Sequence, residues 1–230
     1  EGIKKAIEFQ PDVIISDIMM PNMDGIEMCK KLKTDITTSH IPIILLTAKA
    51  SIENRILGLE NGADSYIPKP FNPQHLKVRI AKLIELREKL KEKFSKSINF
   101  EVKEVVATSP DEQFLQKAIK HIEENLSNTD YNGDLLCKDI GMSRTTLHRK
   151  LKALLNQSSS EFIRNIRLKH AAQLLDNKAF TVSEICYTVG FSSPSYFTAC
   201  FTNYFKMSPT EYALHNIKKE EIKNQNEKNS

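Results

Sequence analysis

Three short β-branched runs, separated by helical patterns, constrain the fold of the first 80 residues most strongly. The runs lie at residues 12–16, 41–47 and 64–68, and helical patterns lie near 24–33 and 52–61. Continuous apolar runs of this length are typical of parallel strands that are buried on both faces. The alternation of strand and helix therefore predicts a right-handed α/β sandwich built on a parallel sheet.

Polar side chains of complementary chemistry follow these three predicted strands. Asp17 ends the first strand, Thr47 ends the second, and Lys69 follows the third. Because the carboxyl ends of parallel strands meet at one edge of a sheet, the three side chains should converge there. Such a group can accept a phosphoryl group: the carboxylate is the nucleophile, and Lys and Mg²⁺ neutralise the charge on the phosphoryl oxygens. Taken singly, Asp17 is more typical of a turn and Lys69 of an exposed charge, so the combination carries the prediction.

The motifs around these residues resemble the receiver domain of bacterial response regulators. The motifs are D-I-M-M-P-N-M-D-G at 17–25, L-L-T-A at 45–48 and Y-I-P-K-P-F at 66–71. The resemblance implies a flavodoxin-like α/β receiver fold for residues 1–94, of which about three parallel strands are visible. It also implies a histidine kinase as the partner that donates the phosphoryl group.

The resemblance further assigns a role to each residue of the site. It implies Asp17 as the phospho-acceptor, Lys69 as the phosphoryl contact, and Thr47 with Tyr66 as a switch pair. The backbone carbonyl of Met19 would join Asp17 as a ligand of Mg²⁺. The Lys69-Pro70 bond matches the position of a cis peptide in the family.

The family's first strand, with an acidic pair that completes the Mg²⁺ site, would lie upstream of Glu1. We therefore expect this chain to be a fragment with an incomplete receiver domain. Mg²⁺ prefers octahedral oxygen geometry, and Asp17 would be the only carboxylate left at the site. We expect Mg²⁺ binding to be weak or absent, with little phosphorylation of this chain. Residues 12–16 would then form an unpaired apolar edge, which is prone to pair with another chain.

A weak internal repeat organises the second half of the chain. The sequence L-C-K-D-I-G-M-S at 136–143 recurs as I-C-Y-T-V-G-F-S at 185–192. Each copy predicts a helix, a tight turn that contains Gly, and a second helix, which is the pattern of a helix-turn-helix motif. A generic helical bundle with similar turns is the alternative. The repeat favours an all-α domain with two such motifs, spaced about one groove repeat (~34 Å) apart by an amphipathic helix over residues 161–175.

The second helix of each copy carries the predicted DNA contacts. The first of these helices spans residues 144–155 after the N-cap Ser143, and it contains no carboxylate. A solvated helix face would also be polar, but basic residues without acidic ones favour DNA. Residues near the start of such a helix meet base edges, and basic residues further along meet phosphates. The predicted contacts are Arg144, Thr145, Thr146, His148, Arg149 and Lys152 in the first copy, and Ser193, Ser195, Tyr196 and Thr198 in the less basic second copy, for which we expect Ser192 as N-cap.

Residues 111–216 are similar to the AraC-type DNA-binding domain. The motifs are G-M-S-R-T-T-L-H-R-K-L at 141–151, F-I-R-N-I-R-L-K-H-A at 162–171, G-F-S-S-P-S-Y-F at 190–197 and M-S-P-T-E-Y at 207–212. Asn156 and Lys206 stand where the family usually has Gly, and Asn tolerates the left-handed conformation better than Lys does. A receiver followed by an AraC-type domain resembles the end of hybrid two-component regulators of the Bacteroides type, whose single polypeptide also carries a membrane sensor and a histidine kinase.

The charge of the chain is concentrated in the second half. Residues 1–80 contain ten basic and ten acidic residues, whereas residues 132–216 contain ten basic and six acidic ones, which accounts for the net charge of +4. The basic region is therefore the candidate for binding a polyanion.

No stretch approaches the ~20 apolar residues of a membrane span. The four cysteines show no CxxC spacing, which favours buried thiols and a cytoplasmic location, while the parent could be anchored in the inner membrane.

These inferences give a truncated receiver domain at 1–94, a linker at 95–110, an AraC-type domain at 111–216 and a disordered tail at 217–230. We predict a homodimeric, phosphorylation-responsive regulator that binds promoter DNA. We expect no enzymatic activity in this chain, although a full-length parent would carry histidine kinase activity. A phosphoaspartate hydrolase is one rival, but it would require further acid and base residues. An interaction adaptor without DNA binding is the other, and Arg144 and Arg149 disfavour it.

Overall fold

The computed structural model of the protein describes residues 1–48, 62–97, 109–176 and 180–215. Three strands and a series of helices make up this part of the chain. The elements are α1 (Gly2–Phe9), β1 (Ile14–Asp17), α2 (Gly25–Thr34), β2 (Ile43–Thr47), β3 (Ser65–Pro68), α3 (Pro73–Ser97), α4 (Pro110–Glu124), α5 (Gly133–Ile140), α6 (Arg144–Leu155), α7 (Ser159–Asp176), α8 (Val182–Thr188) and α9 (Pro194–Phe205). The predicted strands are all present, with bounds that shift by two residues or fewer.

The described chain divides into two compact units. Unit 1 contains residues 1–116 and 145–156, and unit 2 contains residues 117–144 and 157–230. The helix expected over 52–61, most of the linker expected over 95–110 and the tail expected over 217–230 lie outside the described residues. The domain limits drawn from the sequence stay predictions.

The three strands of unit 1 form a parallel sheet in the order β1-β2-β3. The central strand β2 is buried on both faces, and Ile43, Ile44 and Leu45 have no exposed surface. A strand in this position must be apolar at successive residues, which is why its sequence runs without alternation. Within the described residues β1 lies at an edge, and its Ile15 is 42% exposed. The predicted parallel α/β architecture is confirmed.

Helices α1 and α2 pack against β2 and complete the hydrophobic core of the sheet. Ala6 of α1 and Met28, Cys29 and Leu32 of α2 pack with residues of β2 in one cluster. Burial raises the pKa of the Cys29 thiol to about 11, so the thiol stays protonated and unreactive at neutral pH. Cys137 and Cys186 are likewise buried, and Cys200 is half-buried. The expectation of buried thiols therefore holds for three of the four cysteines.

The tight turns of both predicted helix-turn-helix motifs depend on glycine. Gly141 ends α5 with φ of 78°, and its N–H donates to the carbonyls of Cys137 and Lys138. Gly190 follows α8 with the same φ of 78°. This left-handed conformation costs a residue with a Cβ about 1–2 kcal/mol. Gly190 is also crowded, because a Cβ there would lie 2.3 Å from the carbonyl oxygen of Leu126.

The long helix α7 differs from the half-exposed spacer that its sequence predicts. Three consecutive residues, Arg167, Leu168 and Lys169, are buried, so burial extends well beyond one apolar face. The guanidinium of Arg167 donates to the carbonyl of Gly190 at 3.1 Å and to that of Asn128 at 2.5 Å. These hydrogen bonds explain how a cation is accommodated on the apolar face of α7, four residues after Ile163 and four before Ala171. Helix α7 is therefore a central element of unit 2.

Helix α9 begins one residue later than the sequence suggests. Its N-cap is Ser193, not Ser192, and the Ser193 Oγ accepts a hydrogen bond from the backbone N–H of Tyr196. The reason is Pro194, which lacks an N–H and favours the first position of a helix. Phe197 and Phe201 are fully buried, as expected for core residues. Lys206 ends the helix with φ of 62°, so Lys adopts the left-handed conformation usually taken by Gly.

We predict that the two turn glycines differ in their tolerance of Ala. Gly141→Ala should lower the free energy of unfolding by about 1–2 kcal/mol, because only the backbone conformation is strained and the space is open. Gly190→Ala should cost at least about 3 kcal/mol, since its Cβ also meets backbone. Urea unfolding followed by circular dichroism measures both values. Equal losses for the two variants would contradict the steric account of Gly190.

Candidate functional site

The ends of the three parallel strands bring Asp17, Thr47 and Lys69 to one edge of the sheet. In the register of the strands, Asp17 pairs with Leu46, and Thr47 pairs with Pro68. Backbone hydrogen bonds continue this register past the strand ends: Ile18 N–H donates to Leu46 O at 3.0 Å, and Lys69 N–H donates to Thr47 O at 2.7 Å. The expected convergence of the three residues at this edge follows directly from the pairing. The Lys69-Pro70 peptide is cis, as the resemblance implied.

Asp17 and Lys69 form an ion pair at this edge. The Lys69 Nζ donates to Oδ2 of Asp17, and the backbone N–H of Met19 donates to Oδ1 at 3.3 Å. The hydrogen bond from Lys69 lowers the pKa of Asp17 most, with smaller contributions from backbone N–H groups. The two side chains are 34% and 39% exposed, so the carboxylate is both ionised and reachable from solvent. An ionised, accessible carboxylate beside an ammonium group has the chemistry of a phosphoryl acceptor.

The loop after Asp17 is held close to the end of β1. The N–H of Gly25 donates to Ile18 O at 2.9 Å, and a Cβ on Gly25 would lie 2.3 Å from the carbonyl oxygen of Asp17. Only glycine allows this approach of the two backbone segments. Asp24 then caps α2, because its Oδ1 accepts from the N–H of Glu27 at 2.7 Å. The acidic loop is therefore positioned by backbone contacts and a helix cap.

Thr47 and Tyr66, the predicted switch pair, lie in different environments. Thr47 is buried at the end of β2, whereas Tyr66 is half-buried and packs against the core cluster of α1, α2 and β2. Burial raises the pKa of Tyr66, and its Oη has no hydrogen-bond partner among the described residues. A buried hydroxyl without a partner typically costs about 1–3 kcal/mol.

The residues of this edge supply few ligands for Mg²⁺. Asp17 offers one carboxylate, and the exposed loop residue Met19 offers a backbone carbonyl. Within the described residues, no group of three or more His, Cys, Asp and Glu side chains could hold a metal ion. These donors are oxygen atoms, which suit Mg²⁺, and waters would have to complete its octahedral geometry.

Helix α6 presents most of its predicted DNA contacts to solvent. Leu147, Leu151, Leu154 and Leu155 are buried on the opposite side. Arg144 forms an ion pair with Asp134, with Nε and Oδ1 3.2 Å apart. The exposed members of the predicted set are Arg144, Thr145, His148, Arg149 and Lys152, and Thr146 is half-buried.

Helix α9 offers a smaller polar surface. Ser195 and Tyr196 are exposed, whereas Ser193 and Thr198 are half-buried. The hydroxyl of Ser193 already caps the helix, so it is less suited to a base contact than the sequence suggested. Tyr196, which is 55% exposed, is the largest side chain of this set.

Sequence reasoning missed a buried cation on α6, Lys150. Its side chain has no exposed surface, and its Nζ lies 2.7 Å from Asp111 Oδ1 and 3.1 Å from Ser39 Oγ. The signal was present in the helical period, because Lys150 lies three residues after Leu147 and four before Leu154, on the leucine face. Its acidic partner is 39 residues away in sequence and cannot be found from the helix alone.

Two protein families match separate parts of the chain. Residues 1–81 match the response regulator receiver domain, and residues 136–214 match a helix-turn-helix domain. The chain combines a receiver domain of the response regulator family with an AraC-type helix-turn-helix domain. None of the helices in the described ranges is both long and apolar enough to cross a membrane.

The relatives of the chain are regulators and kinases of two-component signalling. The chain is 46% identical over 211 residues to "Histidine kinase P4" of Formosa agariphila, an alignment that covers 92% of this chain and 15% of that protein. It is 50% identical over 74 residues to the phosphate regulon transcriptional regulatory protein PhoB of Pseudomonas aeruginosa, over 32% of each chain. A solved AraC-type regulator from Chromobacterium violaceum aligns with a TM-score of 0.43 and 28% identity, over 45% of this chain and 92% of that one. The chain thus spans less than half of the curated relatives it matches.

We predict that Lys69 lowers the pKa of the Asp17 carboxyl group in solution. Lys69→Met should raise the pKa of Asp17 towards that of an ordinary aspartate, because the hydrogen bond and charge of Lys69 are lost. Carboxyl ¹³C NMR titration measures this pKa, with the signal assigned by its loss in Asp17→Asn. Lys33→Met, which removes the partner of Asp64, is the matched control and should leave Asp17 unchanged. An unaltered pKa in Lys69→Met would show that the pair does not persist in solution.

Proposed function

We propose that this protein is a phosphorylation-responsive transcriptional regulator of a two-component system. Asp17 accepts a phosphoryl group from a histidine kinase, and the helix-turn-helix pair binds promoter DNA. The observation that carries the proposal is the Asp17–Lys69 ion pair at the strand ends of a receiver domain that shares its chain with an AraC-type domain. Phosphoryl transfer to such a carboxylate requires mainly positioning and neutralisation of charge, which Lys69 supplies.

Roles for the neighbouring residues follow from their places at the sheet edge. Thr47 hydrogen-bonds a phosphoryl oxygen, Lys69 contacts the phosphoryl group, and Tyr66 responds to the new charge by moving. Phosphorylation adds negative charge and strong acceptor oxygens, which can bias a two-state element. Mg²⁺ would be held by Asp17 and the carbonyl of Met19, and it would neutralise the charge that develops on the phosphoryl oxygens. Among the described residues these supply one carboxylate and one carbonyl, which supports a low affinity of this chain for Mg²⁺.

The kinase partner is proposed to lie on the same parent polypeptide. The relative from Formosa agariphila is named a histidine kinase, and this chain aligns with 15% of it. This supports an arrangement in which a kinase domain donates to a receiver of its own chain. We further propose that the regulator acts as a cytoplasmic homodimer, since two copies would double the reading helices on one DNA site.

DNA binding is supported by the side chains exposed on α6. Arg144, Thr145 and His148 lie in its first half, and Arg149 and Lys152 follow on the same exposed side. We propose that the residues near the start of α6 read base edges and that Lys152 contacts a phosphate. On α9, Ser195 and Tyr196 contact DNA, with smaller contributions from Ser193 and Thr198.

We predict weak phosphorylation of Asp17 in this chain. Incubation with acetyl phosphate and Mg²⁺ should label only a small fraction of the molecules, because Mg²⁺ is poorly held. Intact-mass and peptide mass spectrometry measure the fraction and locate it, and the residual label should vanish in Asp17→Asn. Efficient labelling would contradict the low Mg²⁺ affinity, and label elsewhere than Asp17 would contradict the assignment of the acceptor.

We predict that Arg149 contributes to sequence-specific recognition. With a DNA site selected from a random pool by the wild-type protein, Arg149→Ala should lose about 1–3 kcal/mol of preference for that site over a scrambled one. Fluorescence anisotropy at fixed salt measures both affinities. Their ratio cancels any effect of the variant on the free protein. Arg79→Ala, which removes an exposed Arg from α3, is the control and should leave the ratio unchanged.

The same measurement separates the regulator from an interaction adaptor. A wild-type protein that binds selected and scrambled DNA equally weakly, at low and at moderate salt, would contradict the proposed function. Salt-dependent binding without preference would support phosphate contacts but not base reading, since phosphate contacts carry no sequence information.

A further inference from the structure

A polar cleft of about 250 Å³ lies within unit 2, beside the turn that joins α8 to α9. Arg164 and Arg167 of α7 line it, together with Gly190 and Ser192 of the turn. No Asp or Glu is among the described residues that line the cleft. Two cations therefore border this space without an acidic side chain opposite them.

Arg167 is a buried cation without a charged partner in the described ranges. It is 9% exposed, and burial lowers its pKa with no opposing contribution from a carboxylate. Its guanidinium donates to the carbonyls of Gly190 and Asn128, while its Nε–H has no acceptor among the described residues. Neutral carbonyls satisfy some of the five N–H donors of an arginine but do not neutralise its charge. The charge of Arg167 thus remains uncompensated, unlike that of Lys150, which is paired with Asp111.

The turn glycine and the second arginine complete this wall of the cleft. A Cβ on Gly190 would lie 3.0 Å from both Cζ and Nη2 of Arg167, so the guanidinium packs directly against the glycine backbone. Arg164 lies three residues before Arg167 and is half-buried. Side chains at this spacing lie on the same face of a helix. The two guanidinium groups therefore add their positive potential at one place.

Three helices begin at this cleft. Asn132 is the N-cap of α5, Ser160 is the second residue of α7, and Tyr196 is the third residue of α9, and all three line the cleft. The first N–H groups of a helix have no acceptor within it, and they carry the positive end of the helix dipole. One helix start can already bind an anion. Here three starts coincide with an uncompensated arginine.

We propose that the cleft binds the phosphate group of a free small molecule, either inorganic phosphate or a phosphate monoester. Such an anion carries up to two charges and would compensate both Arg164 and Arg167. Guanidinium groups bind phosphate through paired, charge-assisted hydrogen bonds. Positive groups on three helices and a turn surround the cleft, which suits the tetrahedral oxygens of phosphate better than a planar carboxylate. This site goes beyond the proposed function and depends neither on Asp17 nor on promoter DNA.

The burial of Arg167 favours a free ion over a phosphate of the DNA backbone. A backbone phosphate is flanked by sugars and carries a single charge, whereas a free phosphate can enter the cleft alone and compensate both arginines. Tyr196 nevertheless belongs to the proposed DNA contacts and also lines the cleft. The test below therefore distinguishes these two sources of phosphate.

A titration with inorganic phosphate tests the site in the full chain. Chloride is lowered as phosphate is added, so that the ionic strength stays constant. The Nε–H signal of Arg167, assigned by its loss in Arg167→Lys, should shift and reach saturation in ¹H–¹⁵N NMR spectra. Isothermal titration calorimetry gives the dissociation constant without that assignment. Acetate at the same ionic strength should bind more weakly, and equal binding of acetate would contradict the preference for phosphate.

A variant of the second arginine tests which residues form the site. Arg164→Gln leaves the hydrogen bonds of Arg167 in place and should raise the dissociation constant for phosphate at least about tenfold, because one charged hydrogen-bond donor is lost. Arg79→Gln removes an exposed arginine from α3 and is the matched control for the change in net charge. It should leave the dissociation constant unchanged. Circular dichroism checks that both variants are folded.

The outcomes separate this inference from the proposed function. If neither NMR nor calorimetry detects saturable binding, or if Arg164→Gln binds phosphate as tightly as the wild type, the proposed site is refuted and DNA binding by the protein stands. Binding of selected DNA over a range of salt concentrations addresses the other source. If free phosphate does not bind but Arg164→Gln lowers the salt slope of DNA binding by about one, the cleft holds a DNA phosphate and the inference is overturned.

Discussion

The parallel pairing of β1 and β3 with the fully buried strand β2 is the constraint on which the candidate phospho-acceptor site depends. The carboxyl ends of parallel strands lie at the same edge of the sheet. Asp17, Thr47 and Lys69 therefore lie at one edge although they are far apart in sequence. Packing favours one register of β2, because a slip by one residue would turn Ile43 and Leu45 away from the core that they form with α1 and α2. The positions of these three polar side chains therefore depend on the hydrophobic packing of the strands that precede them.

The convergence of Asp17, Thr47 and Lys69 at one sheet edge could be predicted from sequence, because each follows an apolar run whose end is visible. The glycine turns could also be predicted. The N-cap Ser143 and the spacing of the leucines predicted both ends of α6 correctly. The N-cap of α9 was misplaced by one residue because two serines precede Pro194, and only the proline decides between them. Sequence patterns therefore predict a helix boundary correctly when only one residue can act as the cap. They are ambiguous when two neighbouring residues could both do so.

Buried cations are the features that sequence periodicity could not predict. Lys150 and Arg167 both lie on apolar faces, and both are compensated by partners distant in sequence: Asp111 and Ser39 for Lys150, and the carbonyls of Gly190 and Asn128 for Arg167. Lys169 is also buried, and burial lowers its pKa to about 8. A pattern of apolar spacing cannot distinguish a snorkelling lysine from a buried pair, because the difference lies in what the rest of the fold brings to it.

Helix α6 carries basic residues on two faces that differ in their access to solvent. Arg149 and Lys152 are exposed, whereas Lys150 is fully buried on the leucine face. The buried lysine has defined partners, Asp111 and Ser39. Coulomb attraction between exposed groups is screened by salt and weakly directional, whereas Lys150 can be desolvated only where Asp111 and Ser39 receive it. The exposed face of α6 therefore carries charges that are open to solvent, whereas its buried face carries a charge whose partners lie within the protein.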